Sequence, residues 1–325
     1  MKGQFNINRY FGVEIEYYRP SQTSNSYIAT CLQALGIETQ LEAYNHETRP
    51  HWKIVSDSSV DSPPSGYTGY NEIVSPKLKG LEGLKSLKKV LEVLNSLDCK
   101  VNYACGIHIH HDVTNIFEGN KKESKKFLFN LIKWIAKFEH CIYKLVSPSR
   151  LDNRRYSTPV RESFNGFASD NKTNEINKLI KKDVARKHRE YGNGVTTQNR
   201  YASPSIQRVR ACGLNLKHVW TRGSIEFRYH NGSLNYNKIE AWIVTTQAII
   251  NVVETKGYVC LKYVENGRTG FNKFLVALGF TQSNRDGLVE KTKKYNRKRF
   301  KELSARESEY SRYNSYDFVS DGINN

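Results

Sequence analysis

The stretch Phe11-Gly12-Val13-Glu14-Ile15-Glu16 alternates apolar and acidic residues, and this alternation decides what fold the chain can adopt. In a β-strand, successive side chains point to opposite faces of the sheet. Glu14 and Glu16 would then share one face, while Val13 and Ile15 occupy the other. We therefore predict a first strand over residues 10–18, with one face to bury and one face that carries carboxylates.

Two later stretches repeat the pattern with other chemistry, namely Gly106-Ile107-His108-Ile109-His110 and Ser224-Ile225-Glu226-Phe227-Arg228. As strands of one sheet, the three stretches would line one surface with carboxylates, imidazoles and a guanidinium. Unpaired charges taken out of water cost several kcal/mol each unless a charged partner binds. The pattern therefore predicts a site for divalent cations and a phosphate ligand.

Composition limits the class of protein. With 325 residues, 38% of them hydrophobic, the chain can bury a full core. No apolar run approaches the roughly 18 residues that cross a bilayer, and Met1-Lys2-Gly3-Gln4-Phe5 lacks the apolar core of a signal peptide. We expect a cytoplasmic protein with no membrane contact. The six cysteines have no paired spacing, which favours reduced thiols.

The charge of the chain is strongly positive, since 50 basic residues stand against 32 acidic ones and give +18. Residues 285–306 alone contain nine basic and three acidic side chains. Such a segment is interpreted either as a solvated basic helix or as a surface that contacts a polyanion.

Periodicity predicts the remaining elements. Apolar residues recur every three or four positions over 81–97 and over 123–145, which indicates two amphipathic helices. Shorter patterns predict helices at 26–35, 174–182 and 237–254, and strands at 38–44, 51–55 and 70–74. The chain would divide into a catalytic domain at 1–260, a basic helical annex at 261–312 and a flexible tail at 313–325.

The acidic positions suit magnesium, which prefers oxygen ligands and usually keeps some of its waters while sharing phosphate oxygens. Glu14, Glu16, Glu72 and Glu226 supply carboxylates, and the forked guanidinium of Arg228 suits a phosphoryl group. The sequence contains neither a P-loop nor a kinase-type glycine-rich loop. A zinc site at Cys105-x2-His108-x-His110 is a weaker alternative, because no second cysteine pair completes it.

Five motifs together resemble those of the amidoligase family, in the carboxylate-amine ligase superfamily that includes glutamine synthetase and glutamate-cysteine ligase. Besides the three strands above, the motifs are Asn71-Glu72-Ile73-Val74-Ser75-Pro76-Lys77-Leu78 and Ser147-Pro148-Ser149-Arg150. The resemblance covers residues 11–246. It implies an α+β fold in which a curved antiparallel sheet forms an active-site funnel, with helices packed on its outer face and the C-terminal annex outside it.

The resemblance also implies chemistry and residue roles. Similar enzymes use ATP and two Mg²⁺ or Mn²⁺ ions to convert a carboxylate to an acyl phosphate, which an amine then displaces to form an amide or isopeptide bond. Carried over by position, the implied metal ligands are Glu14, Glu16, Glu72, His108 and Glu226. His110, Arg228 and Arg150 would contact phosphate, and Asp57 would lie near the amine.

Two other interpretations remain open at the level of sequence. Two metals in a basic protein would also suit a metal-dependent nuclease or phosphodiesterase. A nucleic-acid-binding protein that uses residues 285–306 is the third. If the chain is a ligase, its carboxylate and amine could belong to a peptide, a protein or a nucleic-acid-linked molecule. The sequence leaves the oligomeric state unknown.

Overall fold

The structure is a computed structural model that describes residues 4–60, 62–118, 121–150, 157–160, 212–260, 264–281 and 286–305. Within these ranges the chain has a mixed α+β fold whose strands are mostly antiparallel. The predicted helix at 174–182 and the predicted tail at 313–325 lie outside the described residues.

Strands and helices alternate irregularly along the chain. The strands are β1 (Tyr10–Pro20), β2 (Thr39–Leu41), β3 (Trp52–Ser56), β4 (Tyr67–Val74), β5 (Leu78–Lys79), β6 (Gly106–Asp112), β7 (Leu214–Asn215) and β8 (Ser224–Asn231). The helices are α1 (Asn25–Ala34), α2 (Gly80–Ser96), α3 (Thr114–Phe117), α4 (Lys121–Tyr143), α5 (Val219–Arg222), α6 (Tyr236–Glu254), α7 (Arg268–Ala277) and α8 (Gly287–Ala305). A 3-10 turn covers Pro148–Arg150.

The described residues form two compact units. The N-terminal unit comprises Ile7–His110 and His230–Ile243, and the C-terminal unit comprises the remainder. The predicted boundary at residue 260 stays a prediction.

In the N-terminal unit the strands follow the order β2-β3-β4-β1-β6, with β5 paired to the start of β1. β1 and β3 both run antiparallel to β4. The predicted antiparallel pairing has an exception at one edge, where β2 pairs with β3 in parallel. The connection from β2 to β3 is a loop that returns the chain to the same end of the sheet.

The apolar face of β1 is buried, as the alternation predicts: Phe11, Val13 and Ile15 are all nearly inaccessible. α2 covers this face, and its close approach depends on Gly83. A Cβ at that position would lie 2.9 Å from the Cβ of Leu78 and 3.2 Å from the Cζ of Phe11. Glycine therefore lets the helix backbone pack directly against the strand.

Most predicted helices are confirmed within one or two residues at each end. α1, α2, α4 and α6 match the predictions at 26–35, 81–97, 123–145 and 237–254. The predicted strand at 38–44 is wrong in length, since β2 ends at Leu41. Glu42 and the residues after it form a loop, stabilised by side-chain hydrogen bonds that are described below.

β4 contains an irregularity just before its acidic residue. Tyr70 has a φ of +62°, and the pairing register with β1 shifts between Tyr17 and Arg19. The amide of Asn71 donates to the carbonyls of Thr68, at 2.8 Å, and Gly69, at 2.9 Å. These hydrogen bonds stabilise a β-bulge, which changes the direction of the strand locally.

The C-terminal unit has an aromatic core between α4 and α7. The rings of Trp134 and Phe138 of α4 pack against Phe274 of α7, with centroids 5.8 Å apart in each case. A buried polar contact adds to it, because the hydroxyl of Tyr229 donates to Glu139 at 2.7 Å. Among the described residues, no helix is both long and apolar enough to cross a membrane.

Candidate active site

The outward face of β1 brings two glutamates against a histidine of β6. The Nδ1 of His108 lies 2.9 Å from the Oε2 of Glu14, and its Nε2 lies 3.9 Å from the Oε1 of Glu16. The backbone N–H of Gly106 donates to the other carboxylate oxygen of Glu16. The ring of His108 thus lies between two carboxylates, one of which is fixed by the backbone.

His110 contacts the same glutamate from the next outward position on β6. Its Nε2 lies 3.0 Å from the Oε1 of Glu14. Burial alone would raise the pKa of Glu14, but the positive charge of His110 and the hydrogen bonds from both histidines outweigh it. The pKa of Glu14 is therefore held well below its usual range, and the carboxylate is available as an anionic ligand.

Glu72 of β4 is opposite Glu16 of β1 in the pairing register, which places the two buried carboxylates side by side on this face. Two groups of ligand atoms result, each with all its atoms within 4.8 Å of one another. One group consists of Glu14, Glu72 and His108, and the other of Glu16, Asp57 and Glu72. Glu72 is a member of both.

Asp57 reaches this face from the loop that follows β3. Its Oδ1 accepts a hydrogen bond from the backbone of Ser59 at 2.7 Å, a turn that leaves the second carboxylate oxygen for the site. Its own backbone N–H donates to the carbonyl of Tyr70 at 3.0 Å. The bulge in β4 therefore fixes the loop that carries Asp57.

Lys53 of β3 is a buried cation on the same face. Lys53 and Glu14 are each opposite Val74 of β4, so the three residues form one row across the sheet. Only 2% of Lys53 is exposed. Burial lowers its pKa, against the attraction of Glu42, Glu14 and Glu72, which raises it.

The ammonium group of Lys53 binds the loop between β2 and β3. It donates to the side-chain Oδ1 of Asn45 at 2.7 Å, to the carbonyl of Asn45 at 3.2 Å and to the carbonyl of Glu47 at 2.8 Å. Each of the three N–H groups of the ammonium can therefore donate to one of these oxygens. Lys53 fastens this loop to the face that carries the carboxylates.

The same loop, residues 42–51, is cross-linked internally by Glu42. Its carboxylate accepts from the Nε of Arg49 at 3.0 Å and from the amide of Asn45 at 2.8 Å, and it lies 2.9 Å from the Nε2 of His51. The hydrogen bond with His51 lowers the pKa of Glu42 most, and the bonds from Arg49 and Asn45 lower it further. Together they bring this pKa to about 2, although burial raises it.

Glu226 and Arg228 lie together in the C-terminal unit, on β8. One carboxylate oxygen of Glu226 accepts a hydrogen bond from the Nη1 of Arg228. The other accepts from the amide of Asn215 on β7, at 2.6 Å, and Asn215 is opposite Glu226 in the pairing register. Glu226 is buried, and Arg228 is partly exposed beside it.

Arg150, also in the C-terminal unit, ends the 3-10 turn that Ser147-Pro148-Ser149-Arg150 forms. Its backbone N–H donates to the carbonyl of Ser147 at 2.9 Å, and its side chain is buried. The motif therefore forms a compact turn that places an arginine inside the protein.

Sequence reasoning selected most of this site but missed two residues. Six predicted residues are brought together in the N-terminal unit, namely Glu14, Glu16, Asp57, Glu72, His108 and His110. Lys53 and Asn215 were not selected. A lysine between Trp52 and Ile54, in an otherwise apolar strand, is the signal that could have identified the first. Among the described residues, the candidate metal groups that contain His108 or His110 are completed by glutamates and do not include Cys105.

Comparison with known proteins gives one family. A family model described as "Putative amidoligase enzyme" matches residues 7–250. No curated protein matches the chain. Among solved structures, a bifunctional glutathione synthetase from Pasteurella multocida is similar with 11% identity and a TM-score of 0.41, over 93% of this chain and 49% of that one. The chain thus spans about half the length of that enzyme.

Proposed function

Since the chain belongs to the amidoligase family, we propose that it is an ATP-dependent carboxylate-amine ligase that forms an amide or isopeptide bond. The observation that supports this most directly is the convergence of Glu14, Glu16, Glu72 and His108 on one sheet face. Ordinary solvent-facing carboxylates avoid such proximity, because like charges at this distance repel unless a cation is shared between them.

The residues on this face fit two divalent cations. Four carboxylates and one imidazole form the two groups, and carboxylate oxygens are the ligands that Mg²⁺ and Mn²⁺ prefer. Each group has only three ligands, which leaves places for phosphate oxygens. Glu14, Glu72 and His108 would hold one ion, and Glu16 and Glu72, with Asp57 nearby, the other. Bound there, the ions would neutralise the charge of the nucleotide phosphates.

The protein's own groups would orient these ligands. Gly106 fixes one oxygen of Glu16, and Glu14 orients the ring of His108, so little rearrangement is needed on binding. The family resemblance assigns Glu226 to metal binding, Arg228 to the transferred phosphoryl group, and His110 and Arg150 to phosphate. A curved sheet that forms a funnel, as in glutamine synthetase, is part of this proposal. A cytoplasmic location, where ATP is abundant, is also part of this proposal.

The reaction would proceed in two displacements. An oxygen of the substrate carboxylate attacks the γ-phosphorus of ATP, the bond to the β–γ bridging oxygen breaks, and ADP leaves with that electron pair. The amine nitrogen then attacks the acyl carbon, inorganic phosphate leaves, and the nitrogen loses a proton. Asp57, whose Oδ1 is fixed by Ser59, is our candidate to bind the incoming amine and accept that proton.

The test measures release of ADP and phosphate, with magnesium, over panels of acids and amines. Glu72→Gln keeps the size of the side chain and removes a charge from both ligand groups, so we expect a loss of at least about a hundredfold, or about 2.7 kcal/mol of transition-state stabilisation. Glu92→Gln, an exposed change on α2, is the matched control. Equal activity of Glu72→Gln and the control, on a substrate pair that the wild type converts, would reject the assignment.

The nuclease interpretation is tested in the same preparation. Cleavage of RNA or DNA with magnesium and without added nucleotide, lost in Glu72→Gln, would replace the ligase proposal by a metal-dependent phosphodiesterase.

A further inference from the structure

The exposed positions in the middle of α8 are all basic. Every exposed side chain between residues 291 and 301 carries a positive charge, and these are Lys291, Lys294, Arg297, Lys298 and Lys301. Four of them recur at intervals of three and four residues, which places them in one row along the helix. At 1.5 Å per residue this row, which we call the basic row, extends over about 15 Å.

The opposite side of α8 fixes the helix in the C-terminal unit. The ring of Phe300 stacks on Phe271 of α7 with centroids 4.2 Å apart. The amide of Asn296 donates to the hydroxyl of Thr245 at 2.9 Å, and the buried Lys293 donates to the carbonyl of Thr281 at 3.3 Å. The basic row therefore belongs to a docked helix whose orientation is set by packing.

The two glutamates of α8 do not interrupt the basic row. Glu290 and Glu302 lie at its margins, 3.9 Å from the Nζ atoms of Lys294 and Lys298. Those two lysines keep 76% and 66% of their side chains exposed, and ion pairs of this kind contribute little. Their charges remain directed into solvent.

Another surface helix of the same protein shows that this arrangement is not a general property of the chain. On α2 the exposed charges are of both signs, with Lys85 paired to Glu82 and Lys88 paired to Glu92. Mixed charges are the usual composition of a solvated helix. The basic row differs because its outward positions contain neither an acidic nor an apolar residue.

We propose that the basic row is a docking surface for the phosphate backbone of a nucleic acid. A regular row of point charges complements a regular row of phosphates, and binding would release the counterions condensed on that backbone. A membrane is a poorer match, because an interfacial helix needs an apolar face and that of α8 is already buried in the unit. The exposed side chains of the basic row are all cationic, and Tyr295 beside them is partly buried. Point charges contact phosphates and do not read base edges, so the contact should be independent of nucleotide sequence.

The docking surface is independent of the ligase proposal, because it lies on a different element and uses different residues. If both hold, the nucleic acid would be a candidate carrier of one of the two substrates.

The experiment compares two triple variants that carry the same net charge. Lys294→Gln/Lys298→Gln/Lys301→Gln removes three charges from the basic row, and Lys85→Gln/Lys88→Gln/Lys89→Gln removes three exposed charges from α2. Binding of short fluorescent RNA and DNA oligonucleotides is measured by anisotropy over a series of salt concentrations. All six positions are exposed, so both variants should keep the fold, which circular dichroism and thermal unfolding check.

The α8 variant should bind at least about tenfold more weakly. Its plot of log affinity against log salt should be shallower by about 2 to 3, since each of the three lost phosphate contacts removes about 0.7 to 0.9 from the slope. The α2 variant should bind like the wild type. Lys294→Arg/Lys298→Arg/Lys301→Arg, which keeps the charges, should retain binding.

Three results would overturn the proposal. Equal weakening of both triple variants would mean that only the total charge matters. Binding of polyglutamate as tight as that of the oligonucleotides at the same salt would assign the basic row to an acidic protein. Preferential binding to vesicles of anionic lipid would assign it to a membrane surface.

Discussion

Replacing Lys53 by methionine should loosen a loop and tighten metal binding at the same time. The substitution keeps most of the side-chain length but deletes the ammonium group, which donates to Asn45 and Glu47 and shares a row with Glu14. A purely structural lysine would produce only the first effect. The second effect distinguishes a lysine that also sets the electrostatics of the acidic face.

The structure gives the size of each effect. Three hydrogen bonds to a charged donor are lost, but the loop can rehydrate because Glu47 is exposed, so we expect a net local cost of about 2–3 kcal/mol. Lys53 and Glu14 stand two strand spacings apart, or about 10 Å. At that distance, with an effective dielectric constant of about 40, a unit charge repels a divalent ion by about 1.7 kcal/mol, so its removal should tighten binding by about 15-fold to 20-fold.

Two measurements on the isolated variant test this. Hydrogen exchange should show loss of amide protection confined to residues 42–51 and their neighbours. Mn²⁺ titration, followed by electron paramagnetic resonance, should show the tighter binding without any need for substrate. Lys88→Met on α2 removes the same charge from an exposed site and should change neither reading. Unchanged Mn²⁺ affinity in Lys53→Met would refute the electrostatic role, and unchanged exchange would refute the anchoring role.

Three further predictions concern single contacts and one ligand. Ser75→Ala should lower the free energy of unfolding, measured by urea titration, by about 1–3 kcal/mol, because the buried N–H of Val13 loses the Oγ that accepts from it at 2.9 Å. The control Ser96→Ala should lower the free energy of unfolding by less. The pKa of Glu42 is depressed from 4.5 to about 2 in the folded state, so protection of the loop at residues 42–51 should be full above about pH 4.5 and decline as the pH falls toward 2. Glu42→Gln should abolish that pH dependence, and a loop equally protected at about pH 2 would contradict the reasoning. ATP and magnesium together, but neither alone, should raise the melting temperature, by an amount equivalent to about 2.7 kcal/mol at a hundredfold excess over Kd, and no shift at any magnesium concentration would count against the ligase proposal.

The local patterns of the sequence were sufficient to predict the face of each strand. The two-residue period around Ile15 placed Glu14 and Glu16 together, and the period around Ile109 did the same for His108 and His110. These predictions succeed because side-chain direction in a strand depends only on the strand itself. For the same reason, the apolar repeats of α2 and α4 identified their buried sides.

The contacts between strands could not be predicted in this way. The pairing of Glu16 with Glu72, and the row that joins Lys53 to Glu14, depend on the register between strands that are distant in sequence. The parallel pairing of β2 with β3 and the early end of β2 depend on Glu42, Asn45 and Lys53, which hold the intervening loop. No periodicity within a single element contains this information.

The position of Glu72 limits how the length of this sheet could change during evolution. β4 lies between β1 and β3, and Glu72 pairs with Glu16 on one side and Val55 on the other. Inserting or deleting one residue in β4 before Glu72 would turn its carboxylate to the apolar side, beneath which α2 packs, and would remove it from both ligand groups at once. Length variation should therefore be excluded from β4 and concentrated in the connections that precede and follow it.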